Sequence, residues 1–194
     1  MALYGMTDED LEQMYQEVIL DAARDPHGKL DLETDGIGSD DSVTLAQSHE
    51  YCIPARSHQF NPTCGDEVTV HVEVSDGSDG RPARIERLVW DGQGCSISQA
   101  SLSVMVDLIG HSSVAEAMQM AEDFHKLMDS RGKGMPEDVD DERLGDAVVF
   151  QGVSRYPMRI KCALLGWEGM KAAVAQALSK VEGTTSAAVQ TKER

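Results

Sequence analysis

The chain has 194 residues, 41% of them hydrophobic and 26% charged, which suits one globular domain with a real core, with or without mobile arms. Its formal charge of −17 repels phosphate backbones and anionic lipid heads, so nucleic acid and membrane surfaces are poor partners for it. Aromatic content is only 5%, and the ten methionines supply part of the core bulk that aromatic rings would otherwise give.

The charge is uneven. Residues 1–50 hold thirteen acidic side chains against Arg24 and Lys29, and so carry −11 of the total. Such a segment serves as a solubilising arm or as a docking surface for a basic partner. The opening MALYGMTDEDLEQ has neither a basic stretch nor an apolar one and does not read as a signal peptide. No apolar run approaches the ~18 residues a membrane span needs. A cytoplasmic setting is expected, where four cysteines serve as thiols, metal ligands or catalytic groups rather than as a disulfide framework.

Thr7-x-x-Asp10 has the form of a helix-starting cap, and Leu11, Met14, Tyr15, Val18 and Ile19 follow at helical spacing. The spacing predicts a helix over 8–24, ending before Pro26-His27-Gly28. Residues 29–58 are rich in Gly, Ser and Asp without a clear period and read as an acidic loop or mobile arm. From Glu67 to Val74 the pattern alternates, with Val68, Val70, Val72 and Val74 on one face and Thr69, His71 and Glu73 on the other. That is a half-buried strand. Ser75–Pro82 is a turn, and Ala83–Trp90 is a second strand of the same hairpin.

Asp91-Gly-Gln-Gly-Cys95 is a Gly-rich turn before a helix over 98–109, which Gly110 stops. Ser113-x-x-Glu116 is a capping box for another helix, reaching to about residue 128. A polar loop covers 129–141, and 142–151 reads as one short helix. Pro157 suits the first position of a last helix that runs to about residue 181, and residues 183–194 read as a disordered tail.

Taken singly, the cysteines differ. Nothing around Cys52, beside Pro54 and Arg56, suggests a ligand. Cys64 lies in Asn61-Pro-Thr-Cys-Gly-Asp66, where Gly65 lets the backbone bend so that Cys64 and Asp66 can face one centre. Spacing leaves two readings there, a free thiol beside a turn-capping Asp and a metal site. Cys95 stands at a strand-to-helix turn, where backbone N–H groups and the helix dipole favour thiolate, the form that binds metal or attacks sulfur. Cys162 is on the apolar stripe of the last helix, and an inert core thiol fits that position well. Arg159, three residues earlier on the same face, is placed to stabilise a thiolate or to be a plain surface charge. The spacings match no CxxC pattern, but each of these three cysteines lies near an element end, where separate elements can converge.

The stretches NPTCGDEVTVHVEV, GQGCSISQASLSVM and RIKCALLGW, in this order, together with the opening helix MYQEVILDAARDPH, resemble the SufU/IscU-like iron–sulfur cluster assembly proteins. The similarity spans nearly the whole chain apart from 29–57 and the tail. Lys161 stands where the scaffold branch, IscU, carries His before its third Cys, and the Cys95–Cys162 segment is long, so the resemblance is to the SufU branch. Two features depart from the family. The arm holding Cys52 is long, and Ala22-Ala23 replaces the usual His-Tyr.

The expected fold is α+β, a small antiparallel sheet of about three strands packed against several helices, with a metal site at one end. Residues 1–28 supply its first helix and 59–182 its core. The resemblance implies that Cys64, Asp66, Cys95 and Cys162 bind one Zn²⁺. It further implies that Cys64 accepts persulfide sulfur from a SufS-type, PLP-dependent cysteine desulfurase, after a His of that enzyme takes its place on zinc. By the same resemblance a SufBCD-type scaffold is the implied downstream partner, and Arg159 matches a family Arg beside the site. Two other readings stay open. The same thiols suit a [2Fe–2S] cluster assembled on a scaffold, and a purely structural zinc adaptor module also accommodates them.

Overall fold

The computed structural model describes residues 8–34, 52–75, 77 and 80–190. The cap at Thr7, the centre of the acidic arm and residues 191–194 lie outside them. Helix α1 spans Asp8–Arg24. Three strands follow, β1 (Cys52–Asn61), β2 (Asp66–Ser75) and β3 (Ile85–Gln93), then α2 (Ser96–Ile109), α3 (Val114–Asp129) and α4 (Asp141–Leu144). A 3₁₀ stretch over Gly145–Arg155 leads into α5 (Pro157–Gln190). The expected α+β architecture is therefore present.

The strands form one antiparallel sheet in the order β1-β2-β3. Valines 68, 70, 72 and 74 all point from β2 into the core, and burying each stabilises the fold by about 2 kcal/mol. Helix α5 packs along β1 and β2, α2 lies against α5, and α1 against α2. Within this layer Phe124 stacks on Trp167 with ring centres 4.5 Å apart and meets Phe150 edge-on at 5.7 Å. The indole N–H of Trp167 donates to Ser101 Oγ, which donates in turn to the Ala163 carbonyl, so the polar atoms at the α2–α5 contact are satisfied. The capping box is formed: the Glu116 amide donates to Ser113 Oγ and the Ser113 amide to the Glu116 carboxylate.

Several boundaries differ from the sequence reading; β3, for one, runs on to Gln93 through residues read as a Gly-rich turn. Residues 52–58, assigned to the arm, are the body of strand β1. The inward side of β1 carries Ala55, Ser57 and Asn61, small or polar residues that α5 covers closely, so no hydrophobic alternation marks the strand. Its Pro54 is tolerated because β1 is an edge strand. The short helix expected over 142–151 is split between α4 and the 3₁₀ stretch, because Gly145 turns with φ +47°. Helix α5 continues to Gln190, past the expected end, into the segment read as tail. Among the described residues, no helix is long and apolar enough to cross a membrane.

Candidate metal centre

Three junctions of the fold meet at one end of the sheet. The first is the β1–β2 turn. Asn61 and Asp66 pair across the hairpin, leaving residues 62–65 as the connection. Gly65 closes it with φ +77°, a conformation that a side chain disfavours, and its N–H donates to the Asn61 carbonyl at 2.8 Å. This turn holds Cys64 outward, while Asp66, the first residue of β2, points inward and is only 2% exposed.

The second junction joins β3 to α2. Gly92 runs so close to β2 that a Cβ there would lie 2.2 Å from the Glu67 carbonyl oxygen. That approach brings Cys95 to Asp66. Cys95 is the N-cap of α2, with extended backbone. Its amide donates to Asp66 Oδ1 at 3.0 Å and its thiol to Oδ2 at 3.5 Å.

The third junction is the start of α5. Cys162, one turn in, is 4% exposed, and its Sγ lies 2.9 Å from Cys64 Sγ. The structure thus takes a thiol that the sequence also allowed as inert core and sets it against a second thiol. Donor atoms of Cys64, Asp66 and Cys162 all lie within 4.8 Å of one another. Cys95 joins them through the Asp66 carboxylate. Cys64 and Cys95 are exposed, so the centre is buried on one side and open on the other.

The electrostatics follow from this crowding. Burial alone would raise the pKa of Asp66, but hydrogen bonds from the Cys162 thiol, the Cys95 amide and the Cys64 and Cys95 thiols outweigh it and hold the carboxyl below its ordinary value. Cys162 moves the other way. Burial pushes its thiol up strongly, and hydrogen bonding with Cys64 and Asp66 and the charges of Cys95 and Asp66 add to the shift. Among the described residues no cationic side chain stands within hydrogen-bond reach of these donors, so ionising the buried Cys162 thiol is costly until a cation enters. Three thiols and one carboxylate fit Zn²⁺, which takes four such ligands tetrahedrally.

The guanidinium of Arg159 lies over the Tyr156 ring, 4.6 Å from its centre, on the exposed side of α5. Cys52 opens β1 at its far end, paired with Ser75. One participant escaped the sequence reading. Asn61 is buried, its Nδ2 faces Cys162 Sγ at 3.8 Å, and its Oδ1 accepts from the Thr63 amide. In sequence it announced only a turn, because its sulfur partner lies 101 residues away.

The chain is similar to several known proteins. The NifU-like N-terminal domain family matches residues 14–163. The zinc-dependent sulfurtransferase SufU of Bacillus subtilis is 33% identical over 167 residues, covering 86% of this chain and 93% of SufU. An iron–sulfur cluster assembly scaffold protein IscU of Streptococcus pyogenes is 30% identical over 164 residues, 84% of either chain. Among solved structures, a putative iron–sulfur cluster assembly scaffold protein for the SUF system from Fervidobacterium islandicum superposes with a TM-score of 0.59 at 27% identity, covering 84% of this chain and 97% of that one. The order of the elements, the converging thiols and these similarities lead to one conclusion: the chain belongs to the NifU-like N-terminal domain family, the group of SufU- and IscU-type proteins.

Proposed function

We propose that this protein is a zinc-dependent sulfurtransferase of iron–sulfur cluster assembly. In this reading it takes persulfide sulfur from a SufS-type cysteine desulfurase and passes it towards a SufBCD-type scaffold. The observation that carries the reading is the asymmetry of the donor set. Cys64 is exposed on a short turn, whereas Cys162 and Asp66 are buried and held by neighbours on other elements.

Bound by Cys64, Asp66, Cys95 and Cys162, zinc would keep the thiols deprotonated at neutral pH and supply no redox chemistry of its own. Cys64 is the donor that can swing outward without disturbing the core. Its thiolate attacks the outer sulfur of the desulfurase persulfide. A new S–S bond forms on Cys64, the persulfide bond of the donor breaks, and the electron pair leaves with the donor cysteine as thiolate. Arg159, one turn before Cys162, is assigned to the approach of the anionic persulfide.

A [2Fe–2S] scaffold is the second reading, favoured by the IscU-named relatives and by thiolate ligands that suit such clusters. Lys161, at the position where the resemblance places a scaffold histidine, argues against it. Desulfurase turnover measured with and without the protein tests the proposal. Stimulation that Cys64→Ala abolishes while the fold is kept supports it, and turnover indifferent to the protein refutes it. Metal analysis separates the two readings: one zinc equivalent without visible absorbance favours transfer, whereas iron with labile sulfide favours scaffolding.

A further inference from the structure

The sheet has a second face, away from α2 and α5, and its two ends differ. Cross-strand register sets the side chains of that face in rows. One row is Arg56, His71 and Val89, and here the face is closed: His71 is 1% exposed, and Leu32 packs on Val89. Nearer the thiols come His58, Thr69 and Asp91, then Phe60, Glu67 and Gln93. Here, among the described residues, the face is open. A cleft of about 360 Å³ lies over it, lined by His58, Glu67, Thr69, Asp91 and Gln93.

Phe60 stands directly across from Glu67 and is 57% exposed, more than any other large hydrophobic side chain of the described residues. An exposed aromatic ring beside a polar cleft is the composition of an interface anchor rather than of a solvated strand. The cleft also has a sign. It holds the carboxylates of Glu67 and Asp91, and among the described residues neither Lys nor Arg lines it. His58 meets Glu67 at 3.4 Å and the Thr69 hydroxyl at 3.1 Å. The complement of such a cleft is a basic side chain. Its place matters too. Glu67 follows Asp66 and points to the opposite face, and Phe60 is four residues from Cys64 across the turn. A protein seated here has the outward thiol at the edge of its contact.

We propose that this open end of the outer sheet face docks the sulfur-donating desulfurase, with Phe60 as apolar anchor and the Glu67–Asp91 cleft receiving a basic side chain of that enzyme. The proposal rests on the sulfurtransferase reading for the identity of the partner. Its test is the dissociation constant of the zinc-loaded protein for the desulfurase, measured by calorimetry at two ionic strengths, with turnover recorded separately. Glu67→Gln is the charge probe, because Asp91 also accepts the Gly92 and Leu32 amides and its loss would disturb the backbone.

Phe60→Ser and Glu67→Gln should each weaken binding about tenfold with zinc content unchanged, and Glu67→Gln should flatten the salt dependence. Glu142→Gln, which removes a charge on α4, should bind like the wild type. Wild-type affinity in both Phe60→Ser and Glu67→Gln overturns the proposal. So does a loss in Met158→Ser alone, which would place the contact on α5, and so does a self-association that Phe60→Ser abolishes, which would make this face an interface between copies. If the wild type binds the desulfurase without stimulating it and the two variants weaken binding, the docking surface stands and the sulfurtransferase reading fails. No binding at all refutes both.

Discussion

Cys64 and Cys162 touch each other but belong to opposite kinds of structure. Cys64 rides on a four-residue turn with its side chain in solvent, secured by the backbone contact between Gly65 and Asn61. Cys162 is built into a 34-residue helix, between the Met158 carbonyl behind it and the Asn61 amide in front. The difference would divide labour within the proposed donor set. A thiol on a turn can leave and return at little cost, whereas one inside a packed helix keeps its place and fixes the position of the rest.

The largest effect is expected from removing either sulfur. Cys64→Ala and Cys162→Ala should both reduce desulfurase stimulation to background. Only Cys162→Ala should also destabilise the metal-free fold, by about 1 kcal/mol in urea unfolding, because only that side chain is buried. Equal loss of stability in both variants would erase the contrast. Next comes Asn61→Ala, which removes a group behind the fixed sulfur and should weaken zinc binding about tenfold in a chelator competition. The same change should leave the exposure of Cys64 to a thiol reagent in the metal-free protein nearly as it was.

The contrast also has a pH dependence. Burial, reinforced by Cys64 and Asp66, raises the Cys162 thiol above its ordinary value of 9.0. Folded, metal-free protein therefore holds a proton that the unfolded chain releases above that pH. The stability this contributes is complete below the ordinary thiol value and is lost as pH rises beyond it. Denaturation midpoints of metal-free protein should fall as pH rises above about 9, and Cys162→Ala should reduce that slope. The smallest expected effect is that of Gly65→Ala. The added methyl group meets nothing within 4 Å, but φ +77° disfavours it, so the thermal midpoint should report a loss of about 1 kcal/mol.

Where a residue's neighbours lie close in sequence, the fold could be read from the chain. The alternation in β2 and the Ser113–Glu116 box depend on residues a few positions apart, and each stands where the pattern put it. Strand β1 was hidden because α5 covers it through small and polar side chains, so its burial leaves no hydrophobic period. His71 and Glu73 were expected on the polar side of β2. They are on that side but buried, with Glu73 between His71 and Arg87. Burial alone would raise Glu73, yet His71 and Arg87 hold its carboxyl below the ordinary range. Such a cluster on one face looks like solvated charge in sequence. At the site, the juxtaposition of Cys64 and Cys162 spans 98 residues, and local pattern carries no trace of it.

The meeting of three junctions has a consequence for how the protein survives its own chemistry. In the proposed zinc-bound form, a metal held by Cys64, Asp66, Cys95 and Cys162 would tie the hairpin, the head of α2 and the head of α5 together and would close two long loops of chain. If Cys64 steps away to take sulfur, Asp66 still represents the hairpin in that knot. Each tie remains, so the chain can open one bond for chemistry without slackening any loop.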